Sequence, residues 1–194
     1  MGYSDLTIQL LVFRILALLI VVGIHGGAVA GAAVLLGDNG PKYDGRLGIL
    51  PNSHIDLVGS ASLIFFGIGW PKPMVVDAEE FRVGRIGIVV SILAGFAALL
   101  ATAALFDALI LPALTILPHT AALTTAAFLR AASSLSIWVG LLSVVPVPPL
   151  TGGLVLGAFG IRVPPRVKWI LAALLLAAVA AGVANGGKFT LLTL

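Results

Sequence analysis

Residues 21–38, VVGIHGGAVAGAAVLLGD, carry one histidine, His25, inside an apolar helical run. In a zinc hydrolase, His-Glu-x-x-His on a helix turns two imidazoles, at i and i+4, toward one metal, and the Glu beside the first His acts as general base. Here the base position is Gly26 and the second ligand position is Val29. Glycine has no group that can take a proton, and valine cannot ligate a metal. Read alone, His25 is a packed or hydrogen-bonded histidine in an apolar helix.

The other polar candidates are few. His54 and Asp56 lie together in a loop, where loop hydrogen bonding is their expected role. His119 falls near a helix end and reads as an interfacial residue. Neither His54 nor His119 is expected to meet His25 and rebuild a ligand triad. The chain has no cysteine, which excludes disulfides, thiolate metal sites and cysteine nucleophiles.

The elements that would position these residues are membrane helices. Of 194 residues, 60% are hydrophobic and 10% charged, against roughly 25% charged in soluble domains. That is too little polar surface to cover a water-soluble globule, so an all-α integral membrane protein is expected. A helix needs about 20 apolar residues to cross a bilayer core. Residues 7–36, 86–113, 121–145 and 168–186 each supply such a run, giving about four transmembrane helices in a single membrane domain over 1–194. Residues 57–70, LVGSASLIFFGIGW, are apolar but short, and suit a re-entrant or interfacial segment beside an extramembrane loop. The first ten residues lack a basic region and a cleavage site, so the first apolar run is expected to stay as a helix.

Lys and Arg set the expected orientation. Lys42, Arg46, Lys72, Arg82 and Arg85 fall in 38–85, and Arg162, Arg166 and Lys168 in 161–168, while residues 114–120 carry none. Both basic stretches are expected in the cytoplasm and both termini outside. Arg14 is expected to snorkel to the outer interface. The basic residues are scattered, so no nucleic-acid partner is expected.

Three further stretches occur in order: GDNGPKYDGRLGILPNSHID at 37–56, GIGWPKPMVVDAEEFRVGRIGIVVSILAG at 67–95, and LLSVVPVPPLTGG at 141–153. With the His25 helix, they resemble the bacterial site-2 proteases (peptidase family M50), which are intramembrane zinc metalloproteases. The resemblance covers about residues 20–155, and its specific matches are HID, GW-KP and PVPPL-GG. It implies a bacterial inner-membrane, multi-pass protein with the family's helical core. It also implies that Thr151 stands where the family carries its aspartate zinc ligand, and that Phe96 and Leu99 replace the Pro and Asn of an AGPxxN segment. Only His25 remains at the ligand positions, so the resemblance implies a degenerate, non-catalytic member with no metal and no other cofactor.

Two strips of small residues suit close helix packing. Gly23, Gly27 and Gly31 recur on the first helix, and Ala173, Ala177 and Ala181 on the last. They are read either as internal packing or as docking faces for helices of other membrane proteins. Asp107 and Arg130 fall inside predicted spans, where a charge costs about 2.5–3.5 kcal/mol, so each is expected to have a partner. An intramolecular pair or snorkelling is expected first, and a contact with a partner subunit second. The function that follows is an inactive, site-2-protease-like accessory or scaffold subunit of a larger membrane complex. Alternatives are an active metalloprotease with replaced ligands, a haem or pigment binder using His25, and a transporter or channel.

Overall fold

The computed structural model describes residues 7–161 and 163–184. Among these the chain is helical, with no strand. The helices are α1 (Ile8–Leu35), α2 (Gly40–Tyr43), α3 (Leu57–Phe66), α4 (Ile86–Ile116), α5 (His119–Val144), α6 (Leu154–Ala158) and α7 (Pro165–Ala184).

Three of these helices, α1, α4 and α5, are long and apolar enough to cross a membrane. They pack on one another through Leu18, Val21 and Val22 of α1, Leu99 and Phe106 of α4, and Leu129, Leu135 and Val139 of α5. A fourth span was expected over 168–186. Helix α7 occupies most of that range, with Arg166 and Lys168 in its first turn, and residues 185 and 186 lie outside the described ones, as do both chain ends and Arg162. Helices α4 and α5 form a tight antiparallel hairpin. Pro118 disfavours helical backbone at the residue before it, and Leu117 is accordingly extended.

The segment between α1 and α4 carries most of the distinctive motifs, and hydrogen bonds fix its course. The Thr7 hydroxyl caps the start of α1 by accepting from Leu10 N–H at 3.1 Å. At the other end, Asp38 is fully buried and accepts from the backbone N–H of Gly40 at 2.8 Å and of Asp77 at 3.0 Å. Asp56 caps α3 by accepting from Gly59 N–H at 2.7 Å. Helix α3 has ten residues, about 15 Å, and ends at Gly67, whose left-handed φ of 77° suits glycine.

Arg14, expected to snorkel to the outer interface, has partners within the fold. Its guanidinium donates to the carbonyls of Ile64 at 2.9 Å and Phe65 at 3.0 Å. Those carbonyls close the last turn of α3 and have no partner within it, so a cation there satisfies them and the helix dipole together. The end of α3 thus sits beside the N-terminal part of α1. From there the chain returns along α1. Met74 packs on Val29 and Ala30, and Arg82 N–H donates to Leu36 O at 2.9 Å.

The two small-residue strips part company. A side chain at Gly23 would collide with the carbonyl of Ile49, and one at Gly27 would lie 3.0 Å from the carbonyl of Gly48. The chain's own 48–49 backbone therefore covers two of the three strip glycines on α1; Gly31 faces open space. On α7, packing runs through Ala172, Leu175 and Leu176 against Trp70 and Leu150, and Ala173, Ala177 and Ala181 stay exposed.

Candidate functional site

His25 lies on α1 with 1% of its surface exposed. Its Nε2 is hydrogen-bonded to Thr151 Oγ1 at 3.1 Å. A hydroxyl can donate or accept, so threonine serves either tautomer of the imidazole. Thr151 reaches this place because the chain turns tightly just after α5. At Gly152 a Cβ would run into Val144 and Val145 backbone, and at Gly153 it would lie 2.8 Å from Pro148 N. The glycines of PPLTGG permit that turn, and the turn holds Thr151 against His25.

Helix α4 closes the other side. A Cβ at Gly95 would lie 2.8 Å from both Nδ1 and Cε1 of His25 and 2.5 Å from Val29 Cγ2. The missing side chain at 95 is what lets α1 and α4 approach at this level. Val29, at the second ligand position, is buried and packs with Ala30 and Met74. His25 Nδ1 is buried without a hydrogen-bond partner.

His54 is hydrogen-bonded within its loop, as expected, and among the described residues it joins His25 in no ligand triad; its contact with the His25 helix was not foreseen. Its ring lies directly on Gly26, so closely that a Cβ there would overlap Nδ1, Cγ and Cε1 of the imidazole. The base position of the motif is therefore filled by a histidine from the loop. His54 is held on all sides. Its Nε2 is hydrogen-bonded to Gly48 O at 2.9 Å, its N–H donates to Pro51 O at 2.9 Å, and its carbonyl accepts from Lys72 N–H at 2.8 Å. Arg46 supports the same region by donating to Pro73 O at 2.9 Å. The motif residues Asp38, Arg46, His54 and Lys72 thus tie the segments over the C-terminal half of α1 to one another.

These residues do not fit a catalytic zinc ion. Such a site takes three nitrogen, sulfur or oxygen ligands from the protein and leaves a position for water. The converging groups here are one imidazole, one hydroxyl, one valine and one glycine. The second imidazole has its Nε2 committed to Gly48. Among the described residues no three His, Cys, Asp or Glu side chains could hold a metal ion together. A planar cofactor fares no better, because Gly26, Gly27 and Gly95 all face other parts of the chain.

Burial lowers the pKa of His54 below its ordinary 6.5, against the raising effect of Gly48 O; the charge of Arg46 lowers it further. The sign follows by linkage. Below about pH 6.5 the unfolded chain binds this proton more readily than the folded one, so stability falls with pH. The melting temperature is expected to drop between about pH 7.5 and pH 5.5, and to drop less in His54→Gln. Equal slopes in the two proteins would exclude His54 as the group responsible.

The frame over Gly26 could have been suspected from sequence, since a glycine at a Glu position leaves a volume that something must fill. Which residue fills it could not. No family model matches the chain, and no solved structure matches it. The chain is 28% identical over 164 residues to the Bacillus subtilis (strain 168) protein named "Putative zinc metalloprotease YwhC", covering 83% of this chain and 74% of that protein. The similarity agrees with the site-2-protease resemblance of the motifs.

Proposed function

We propose that this chain is a site-2-protease-like membrane protein that does not hydrolyse peptide bonds at the His25 position. Its role is to hold transmembrane helices of other proteins as an accessory component of a membrane assembly. The observation that carries the non-catalytic half is the His25–Thr151 hydrogen bond at 3.1 Å. It occupies the place where a ligand histidine and a ligand aspartate would converge on zinc. Supporting it, the base position is covered by the His54 ring. Elemental analysis of the purified protein is expected to find well under one zinc per chain. About one zinc, lost in His25→Ala, would overturn this reading.

The similarity to a protein named as a zinc metalloprotease favours a second reading, an active protease whose ligands come from other positions. The same measurement separates the two. Zinc that survives His25→Ala would point to that second reading.

The proposed setting is the bacterial inner membrane, with 38–85 and 161–168 in the cytoplasm. Cysteine labelling is clean in a cysteine-free chain. Asn52→Cys, Glu80→Cys and Arg166→Cys are expected to resist an impermeant thiol reagent in intact cells. Labelling of Glu80→Cys alone would mean that 57–70 crosses the bilayer.

A further inference from the structure

Asp107 on α4 and Arg130 on α5 are both exposed, and no hydrogen bond or ion pair among the described residues engages either. The intramolecular pair expected between them is not formed. Both lie well inside apolar helices long enough to span a bilayer. Asp107 sits nine residues before the end of α4 at Ile116, about 14 Å along the axis. Arg130 sits eleven residues after the start of α5 at His119, about 17 Å along the axis. Since α4 and α5 form one hairpin, these are nearly equal depths. The Phe106 and Phe128 rings, one and two residues away, meet at 6.4 Å between centroids and fix that register.

The two charges also share a face. On α4, Leu93, Phe96, Leu100 and Asp107 recur at intervals of three, four and seven, and so form one stripe. On α5, Arg130, Ser134, Leu141 and Val144 do the same. Leu93 and Phe96 line a shallow groove together with Leu141 and Val144. The two stripes therefore flank one valley. It runs from an apolar groove of about 310 Å³ at one end to an acid and a base, unpaired, at the other.

We propose that this α4–α5 face binds a second copy of the chain, forming a twofold dimer in the membrane plane. Two copies inserted the same way are related by an axis along the bilayer normal. That operation keeps every residue at its own depth and brings residue i opposite j and j opposite i. A face with an acid on one helix and a base at the same depth on the next is then complementary to itself. Asp107 of each copy meets Arg130 of the other, twice. An aspartate has too short a side chain to extend far along the helix, and in hydrocarbon a charge is driven to a partner. The apolar ends of the two valleys meet in the same contact.

The test uses the full chain in its native membrane, with Leu100→Cys on the proposed face as the only thiol. Oxidation is expected to give a disulfide-linked dimer, and Ile20→Cys on the exposed side of α1 is expected to give none. Asp107→Arg and Arg130→Asp, each added to the reporter and expressed alone, should cut the cross-link on the order of tenfold, because both symmetry-related contacts are lost. Co-expressed under different tags, the same two chains should cross-link to each other, since one then offers two bases to two acids. An ion pair within one chain would not be restored by mixing. The milder Asp107→Asn serves where a reversed charge prevents insertion, and should also weaken the cross-link. The proposal fails if Leu100→Cys cross-links no better than Ile20→Cys, or if co-expression restores nothing.

Discussion

Gly26→Ala is expected to destabilise the protein by about 2–3 kcal/mol, at the upper end of the range for overpacked cores. In an ordinary helix the same change would stabilise by about 0.5–1 kcal/mol, because alanine loses less backbone freedom than glycine. The sign reverses here because the new methyl group would occupy the space of the His54 ring. That ring cannot simply swing aside. Its Nε2 is hydrogen-bonded to Gly48 O, and its backbone is tied to Pro51 and Lys72. Moving it also breaks the hydrogen bond to Gly48 O.

A double-mutant cycle isolates this cause. His54→Ala alone should be costly, since it empties a fully buried position. In that background, Gly26→Ala should become neutral or mildly stabilising. The coupling between the two sites should then exceed about 1 kcal/mol, well beyond the error for independent sites. Denaturant titration of the four proteins in detergent measures it. Additive effects would show that the ring and the glycine do not meet, and the account of the base position would fall with them.

Much of this arrangement was legible in the residues. The apolar runs were enough to place α1, α4 and α5, because a membrane-spanning helix is decided by local composition. The degenerate ligand positions could be read from His25, Gly26, Val29 and Thr151 as they stand. What could not be read was anything set by contacts between distant segments. Arg14 and Ile64 are fifty residues apart, and His25 and Thr151 are 126 apart. No periodicity links such positions. The glycine strip left two readings open for a related reason. Small residues show that some backbone comes close but not whose, and at Gly23 it is the carbonyl of this chain's own Ile49, which is the internal-packing reading. The motif loops read most naturally as remains of an active site. Asp38, Arg46 and the Lys72 backbone turn out to hold the loops to one another, and Asp56 caps α3, which explains physically how they can persist beside positions that no longer ligate.

If the frame is intact and only the ligands are gone, restoring ligands should restore metal binding. Val29→His with Thr151→Asp is expected to take up about one zinc per chain. The distances favour it. Zinc lies about 2.0–2.1 Å from nitrogen and carboxylate ligands in a tetrahedral shell, so two ligand atoms sit about 3.3 Å apart. His25 Nε2 and Thr151 Oγ1 are 3.1 Å apart, and a carboxylate at 151 would start from nearly that spacing. Position 29 is one turn from His25 on the same helix face. Gly26 and His54 are left untouched, so the steric conflict at the base position does not arise and no hydrolysis is expected. Without metal the variant should be weakened, because a larger polar ring replaces a buried valine packed on Met74. Zinc should reverse that loss. Free metal at a thousand times its dissociation constant stabilises by about 4 kcal/mol, which appears as a rise in melting temperature on adding zinc but not magnesium. The wild-type protein should show no such rise. A folded double variant that takes up no more zinc than the wild type would mean that His25 and Thr151 do not face a common point, and that more than the ligands has been lost.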